Sequence, residues 1–304
     1  MRLSDPAVSC GFGAPLRFDG GAAENLIERR ATKSLATMKP LQFLCMASLA
    51  VTLLAPPASA ADAAASKADP MRILWQMSQK IGGNPQFSFH AHRKIDPVLL
   101  RTKSAAADAK VDIAVLRPSK FSTRVTSSHG TRFYYEDGVN LTVFNARTNA
   151  YAIVPMFGTL DTLIGMVQRK HGYTPPLAQF LVSSPYNDMR RNSRTISYIG
   201  THEYHGGSSA SAGTECYCFA LPGKVVDTEL WIGVEDQLPR RMIATFKDRP
   251  GKPQIRVDFS AWNLRANLTN NDFVFAPPRS ARRIPMMTAA KLDALEGTSD
   301  SNVP

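Results

Sequence analysis

Residues 121–155 read FSTRVTSSHGTRFYYEDGVNLTVFNARTNAYAIVP, and the fold class turns on them. Phe121, Thr123 and Val125 recur at every second position, the period of a strand with one face buried. FYYEDGVNLTVFN then reads as two strands joined at Asp137-Gly138, a pair that favours tight hairpin turns. A further turn at Arg147-Thr148-Asn149 leads into the short strand AYAIV. Strands joined by connections this short must be antiparallel neighbours.

The same rhythm extends outward in both directions. Upstream, Phe87, Phe89 and Ala91 alternate with Ser88, His90 and His92, and Val111, Ile113 and Val115 alternate with Lys110, Asp112 and Ala114. Before them, Asp69-Pro70 is a cap followed by a first-turn proline. Ile73, Leu74, Met77 and Ile81 follow at helical spacing, and Gly82-Gly83 stops the helix. Downstream, residues 159–191 break the rhythm. Leu160, Leu163, Ile164 and Val167 predict a helix that Gly172 ends, and Pro175-Pro176 is expected to open a second short helix carrying Leu177, Phe180 and Leu181. A second block of strands follows in RTISYIGTHEY, TECYCFAL, TELWIGV, RRMIATF and PQIRVDFSAW.

These elements predict an α+β fold: a single antiparallel meander of about eight to ten strands, curled because a sheet of that width does not stay flat. Its apolar face is covered by short helices, which makes an unclosed half-barrel. The residues placed to line that half-barrel are Phe89, Ile113, Val115, Val125, Leu141, Val143, Ile232, Met242 and Phe259 from the sheet, with Leu163, Val167 and Phe180 from the cover. Phe87, Phe121, Trp231 and Phe246 read as further core residues. Apolar periodicity is the same for a filled core and for a lined cavity.

Residues 38–60, MKPLQFLCMASLAVTLLAPPASA, form a secretory signal. Lys39 is the cationic start, Leu41 to Leu54 the apolar stretch, and Ala58-Ser59-Ala60 the cleavage pattern. The apolar stretch is shorter than the roughly 20 residues that cross a bilayer, so no transmembrane segment is expected in the mature chain. Residues 1–37 read as an extension ahead of a true start at Met38, and 61–69 as a linker. The domain then spans 70–285, and 286–304 is a tail with few structural signals, read as mobile. N-terminal sequencing of the exported protein is expected to give Ala61; a mature form beginning before Met38 would contradict this reading.

Without residues 1–60 the chain keeps 30 basic and 21 acidic residues, a net charge of +9. Export and the scattering of the basic residues along strands argue against nucleic acid, and an anionic membrane surface remains compatible. Cys216 and Cys218 are the cysteines left, spaced C-x-C on one strand face, where a disulfide between them has unfavourable geometry. They read as small buried thiols.

The sequence presents no catalytic constellation. His90 and His92 share a strand face without further ligands near them in sequence, so they read as a solvated face rather than a metal pair. His202-Glu203-Tyr204-His205 spaces its histidines at i and i+3, whereas HExxH needs i and i+4 on a helix. Ser208 to Ser211 read as a hairpin loop. Neither G-x-S-x-G, P-loop nor dinucleotide fingerprint is present. The expected protein is not an enzyme and uses no metal or other cofactor.

Seven stretches in order, RPSKFSTRV, RFYYEDGVNLTVFNARTNAYAIV, PPLAQFLVSSPY, YIGTHEYHG, ELWI, LPRRMIATFKDRPGKPQ and DFVFAPP, resemble the bacterial predicted periplasmic proteins of domain of unknown function 2092. The fold of that family is similar to the lipoprotein carrier LolA. The resemblance covers roughly residues 70–285. The loop from Gly207 to Thr214 is longer than the family's usual turn, and Cys218 stands where histidine is common. The resemblance implies a periplasmic, unclosed barrel with helices as lid, in a class of folds that carry or sense acylated ligands. It implies no enzymatic activity. The expected function is a periplasmic binding protein holding a lipid, an acyl chain or a lipoprotein. The alternative is an envelope sensor module that binds a protein partner through the outside of a packed half-barrel.

Overall fold

The computed structural model describes residues 69–100, 106–172, 174–206 and 213–286. The stretches read as an N-terminal extension (1–37) and a signal (38–60), most of the expected linker, the Ser-rich loop and the tail beyond Met286 lie outside the described residues. The chain enters through helix α1 (Pro70–Gly82), where the Asp69 carboxylate accepts the Met71 N–H at 3.0 Å. Ile73, Leu74, Met77 and Ile81 form its buried stripe.

Six strands follow as a meander: β1 (Gln86–Ile95), β2 (Asp108–Leu116), β3 (Lys120–Ser127), β4 (Gly130–Asp137), β5 (Asn140–Asn145) and β6 (Ala150–Pro155). Helices α2 (Leu160–His171) and α3 (Pro185–Asn192) then carry the chain to the opposite edge. A second meander returns it: β7 (Ser197–Tyr204), β8 (Thr214–Pro222), β9 (Val226–Gly233), β10 (Pro239–Phe246) and β11 (Gln254–Asn263). The short β12 (Arg282–Arg283) pairs in parallel with β6.

The strand order is β12-β6-β5-β4-β3-β2-β1-β11-β10-β9-β8-β7, with β12 and β7 at the two ends. The sheet is therefore open. The expected single meander is corrected to two meanders sutured at the centre, β1 against β11. The reason is the helical insert: with β6 beside the short edge strand β12 and β7 at the other edge, the segment between β6 and β7 crosses almost the whole sheet. Twelve strands spaced about 4.8 Å would span roughly 50 Å if flat, whereas α1, at about 1.5 Å per residue, is only some 20 Å long. Yet Leu74 of α1, Leu163 of α2, Val154 of β6 and Phe219 of β8 share one apolar cluster. Only a curled sheet permits that.

The second expected helix is also corrected. Pro175-Pro176 is followed by no more than a single 3-10 turn, Ala178–Phe180, because Leu177 takes a left-handed φ of 56° that interrupts helical backbone. The regular helix begins later, at α3, where Ser184 caps and Pro185 occupies the first turn. That is the same cap-proline signature as Asp69-Pro70. Gly172, by contrast, ends α2 as expected, with φ of 74°.

Candidate functional site: the half-barrel interior

Cross-strand register fixes the inner face. Phe87, Phe89 and Ala91 of β1 lie opposite Val115, Ile113 and Val111 of β2, and these in turn lie opposite Phe121, Thr123 and Val125 of β3. On the other side Ala91 faces Phe259 of β11, Val257 faces Met242 of β10, and Met242 faces Leu230 of β9. A one-residue slip anywhere would turn this apolar row outward, so burial enforces the register.

Eleven of the twelve residues expected to line the interior come together in or against one cluster, with Val125 only partly buried. Val143 does not join it. It faces inward between Tyr134 and Ala152 but is only half-buried, further toward the β6 edge. Trp231, expected in the core, lies on the outer face, opposite Arg241 and Cys218 and alternating with the buried inner residues Leu230 and Ile232. Phe246 belongs to a separate small cluster with Ile95, Leu99 and Ile255.

The residue that alternation misses is Trp262. Ser88 pairs with Asn263 but His90 pairs with Ser260, so two residues of β11 oppose Phe89 alone, and Ala261 takes φ of 51°. This bulge turns Trp262 inward. Its ring stacks on Phe89 with centroids 4.3 Å apart, and its Nε1–H donates to the Pro239 carbonyl at 2.9 Å. Strict period two from Phe259 puts 262 on the solvent side, and nothing local in the sequence announces the bulge.

Over this aromatic floor runs a strap, residues 174–183. Phe180 meets Phe259 edge-on at 4.9 Å and Trp262 at 6.4 Å. Arg117, at the start of the β2–β3 turn, latches the strap by donating to the carbonyls of Leu181 at 2.8 Å and Val182 at 2.9 Å. Its guanidinium also lies over the Phe87 ring at 5.6 Å. Two features of the strap carry a local energetic cost. Leu177 is left-handed, which costs a non-glycine residue about 1 kcal/mol or more. Gln179 is buried with its amide nitrogen 3.7 Å from the Met242 sulfur, and its Oε1 has no partner among the described residues.

The outer face holds a different chemistry. His90 Nδ1 pairs with Asp112 at 2.5 Å, and His92 Nε2 pairs with Asp108 at 2.7 Å. Carboxylates absent nearby in sequence therefore arrive across the strand, as two separate pairs. Burial raises the Asp112 pKa, but hydrogen bonds and charge from Arg124 and His90 outweigh it and leave the carboxyl below its ordinary range. Arg241 lies over the Tyr204 ring at 4.8 Å and the Trp231 ring at 5.2 Å and pairs with Asp258 at 2.6 Å. Cys216 and Cys218 are free and fully buried on this same face, and burial pushes their thiols up to about 11 and about 12. Alkylation by iodoacetamide at pH 8 is expected to be at least about 100-fold slower than in the unfolded chain, because thiolate is the reactive form. Equal rates would mean that the outer face is open at β8.

An open, twelve-stranded sheet curled over an apolar, aromatic interior under a strap defines an α+β half-barrel architecture. The chain belongs to the predicted periplasmic proteins of DUF2092, whose family model matches residues 70–287. No curated protein sequence matches it. Among solved structures it is similar to an uncharacterized conserved protein from Thermus thermophilus, at 13% identity and a TM-score of 0.44, covering 71% of this chain and 99% of that one. It is also similar to the Mycobacterium tuberculosis lipoprotein LppX, at 11% identity and a TM-score of 0.40, covering 66% and 100%. A LolA superfamily protein from Nitrosomonas europaea aligns at 10% identity and a TM-score of 0.32, covering 68% and 98%.

Proposed function

We propose that this is an exported periplasmic binding protein, not an enzyme, whose half-barrel takes a lipid, an acyl chain or the acyl part of a lipoprotein beneath the strap. The observation that carries this reading is the strap itself. A cover meant only to seal a core gains nothing from a left-handed leucine and an orphaned buried amide. Both are relieved when the strap lifts and its backbone and Gln179 reach water. The aromatic floor then offers the lifted strap's place to an alkyl chain, each buried methylene contributing about 0.8 kcal/mol. In this reading residues 38–60 direct export, Ala61 begins the mature chain, and residues 70–285 are the binding domain.

Native mass spectrometry of gently purified protein, followed by solvent extraction, tests the proposal. Co-purifying lipid is the expected result. Ligand-free protein that retains a stoichiometric protein partner would replace the carrier with an envelope interaction module.

A further inference from the structure

At the β6 edge a cleft of about 550 Å³ opens between the end of β6 and α2, lined by Pro155, Met156, Phe157, Met166, Arg169 and Lys170. Its floor is core: Met156 is 3% exposed and belongs to the main apolar cluster, and Met166 packs against that cluster. Its lip is the unusual part, since Phe157 is 66% exposed. Backbone geometry holds that lip out, because the Met156 N–H is tied to the Val139 carbonyl at 2.8 Å and Gly158 follows with φ of 130°. Val139 beside it is exposed as well.

The rest of the rim is cationic. Arg169 and Lys170 stand exposed in the last turn of α2. Gly165, one turn earlier, leaves room for the Arg169 guanidinium: a Cβ there would come within 3.2 Å of Nη1. The acid of that helix, Asp161, is engaged elsewhere, accepting from the Ser183 N–H at 3.0 Å and its hydroxyl at 2.9 Å. The volume lies in the range of small-molecule sites. Two cations beside a sulfur-and-aromatic trough that leads onto the core complement one chemistry, a negative head joined to a flexible chain.

We infer that this cleft is the mouth of the half-barrel and selects single-chain anionic amphiphiles, the head held by Arg169 and Lys170 and the chain running over Phe157, Met156 and Met166. The inference rests on the acyl-binding reading and adds to it the place of admission and the charge of the head. Methionine suits such a trough because its unbranched, polarisable side chain adapts to chains of varied path.

Calorimetric titration of delipidated protein with dodecanoate, dodecyltrimethylammonium and dodecanol, each as monomer, separates the two claims. Dodecanoate should bind about tenfold or more tighter than the cationic probe, the scale of one charge-assisted hydrogen bond. Arg169→Glu with Lys170→Glu should abolish that preference without altering circular dichroism, and Phe157→Ser should weaken all three probes. Equal binding of the three probes, unchanged in the double variant, overturns the head-group assignment while leaving the half-barrel reading intact. Binding of none overturns both. Binding only to anionic vesicles, with no monomer uptake, overturns the inference in favour of a membrane-docking face.

Discussion

Glu136→Gln is expected to make the protein more stable at pH 8 by several kcal/mol and to leave it nearly unchanged at pH 4.5. Glu136 points inward from β4, 1% exposed, between Phe121 of β3 and Leu141 of β5. Burial pushes its carboxyl up to about 8, the Gly138 N–H at 3.2 Å opposes that shift, and the neighbouring Asp137 charge adds to it. The side chain is therefore a neutral acid in the fold at pH 7 and a carboxylate in the unfolded chain. A folded pKa raised above the unfolded one gives stability that is complete below about pH 4.5 and is lost as the pH climbs towards 8. At about 1.4 kcal/mol per unit, the loss across that window is on the order of 3 to 5 kcal/mol. Glutamine retains an oxygen for the Gly138 N–H and cannot ionise. Urea unfolding at pH 4.5, 6 and 8 measures the difference; parallel pH profiles for the two proteins would show that Glu136 reaches water in the native state.

Phe180→Ala should cost about 3 to 5 kcal/mol, the usual penalty for emptying a large aromatic site. It also separates a packed core from a ligand site, because Phe180 plugs the interior between Phe259 and Trp262. In an acyl-binding protein the vacated space is part of the chain's own path. The variant should recover about 2.7 kcal/mol at a ligand concentration 100 times Kd, read as a melting-temperature rise with dodecanol larger than that of the parent. Destabilisation with no rescue by any alkyl probe would indicate that the half-barrel is simply filled. Phe180→Leu provides the milder comparison should the alanine variant fail to fold.

The two residues differ in how far sequence alone reaches them. Apolar spacing places Phe180 in the cover, though in a helix that Leu177 interrupts. Glu136 is invisible to such spacing: EDG looks like the polar end of a hairpin, and only the register with Phe121 and Leu141 turns its carboxyl inward. The same holds for the pairing of His90 with Asp112 and of His92 with Asp108, partners 22 and 16 residues apart in sequence. The cleft at Phe157 likewise joins a strand end to the last turn of a helix.

Local chemistry determined what each segment would be. Alternation made the strands, the Asp69-Pro70 pair started α1, Gly172 stopped α2, and the apolar faces of β1–β3, β5 and β9–β11 named most of the residues that now meet inside. Those signals act within a few residues, so they survive without the rest of the molecule. The tertiary structure decided which strands meet, where the β11 bulge turns Trp262 inward, that Trp231 faces out, and where the strap bears its strain. Each of these depends on contacts between residues distant in the chain, whose energy appears only once the sheet has curled and buried them together.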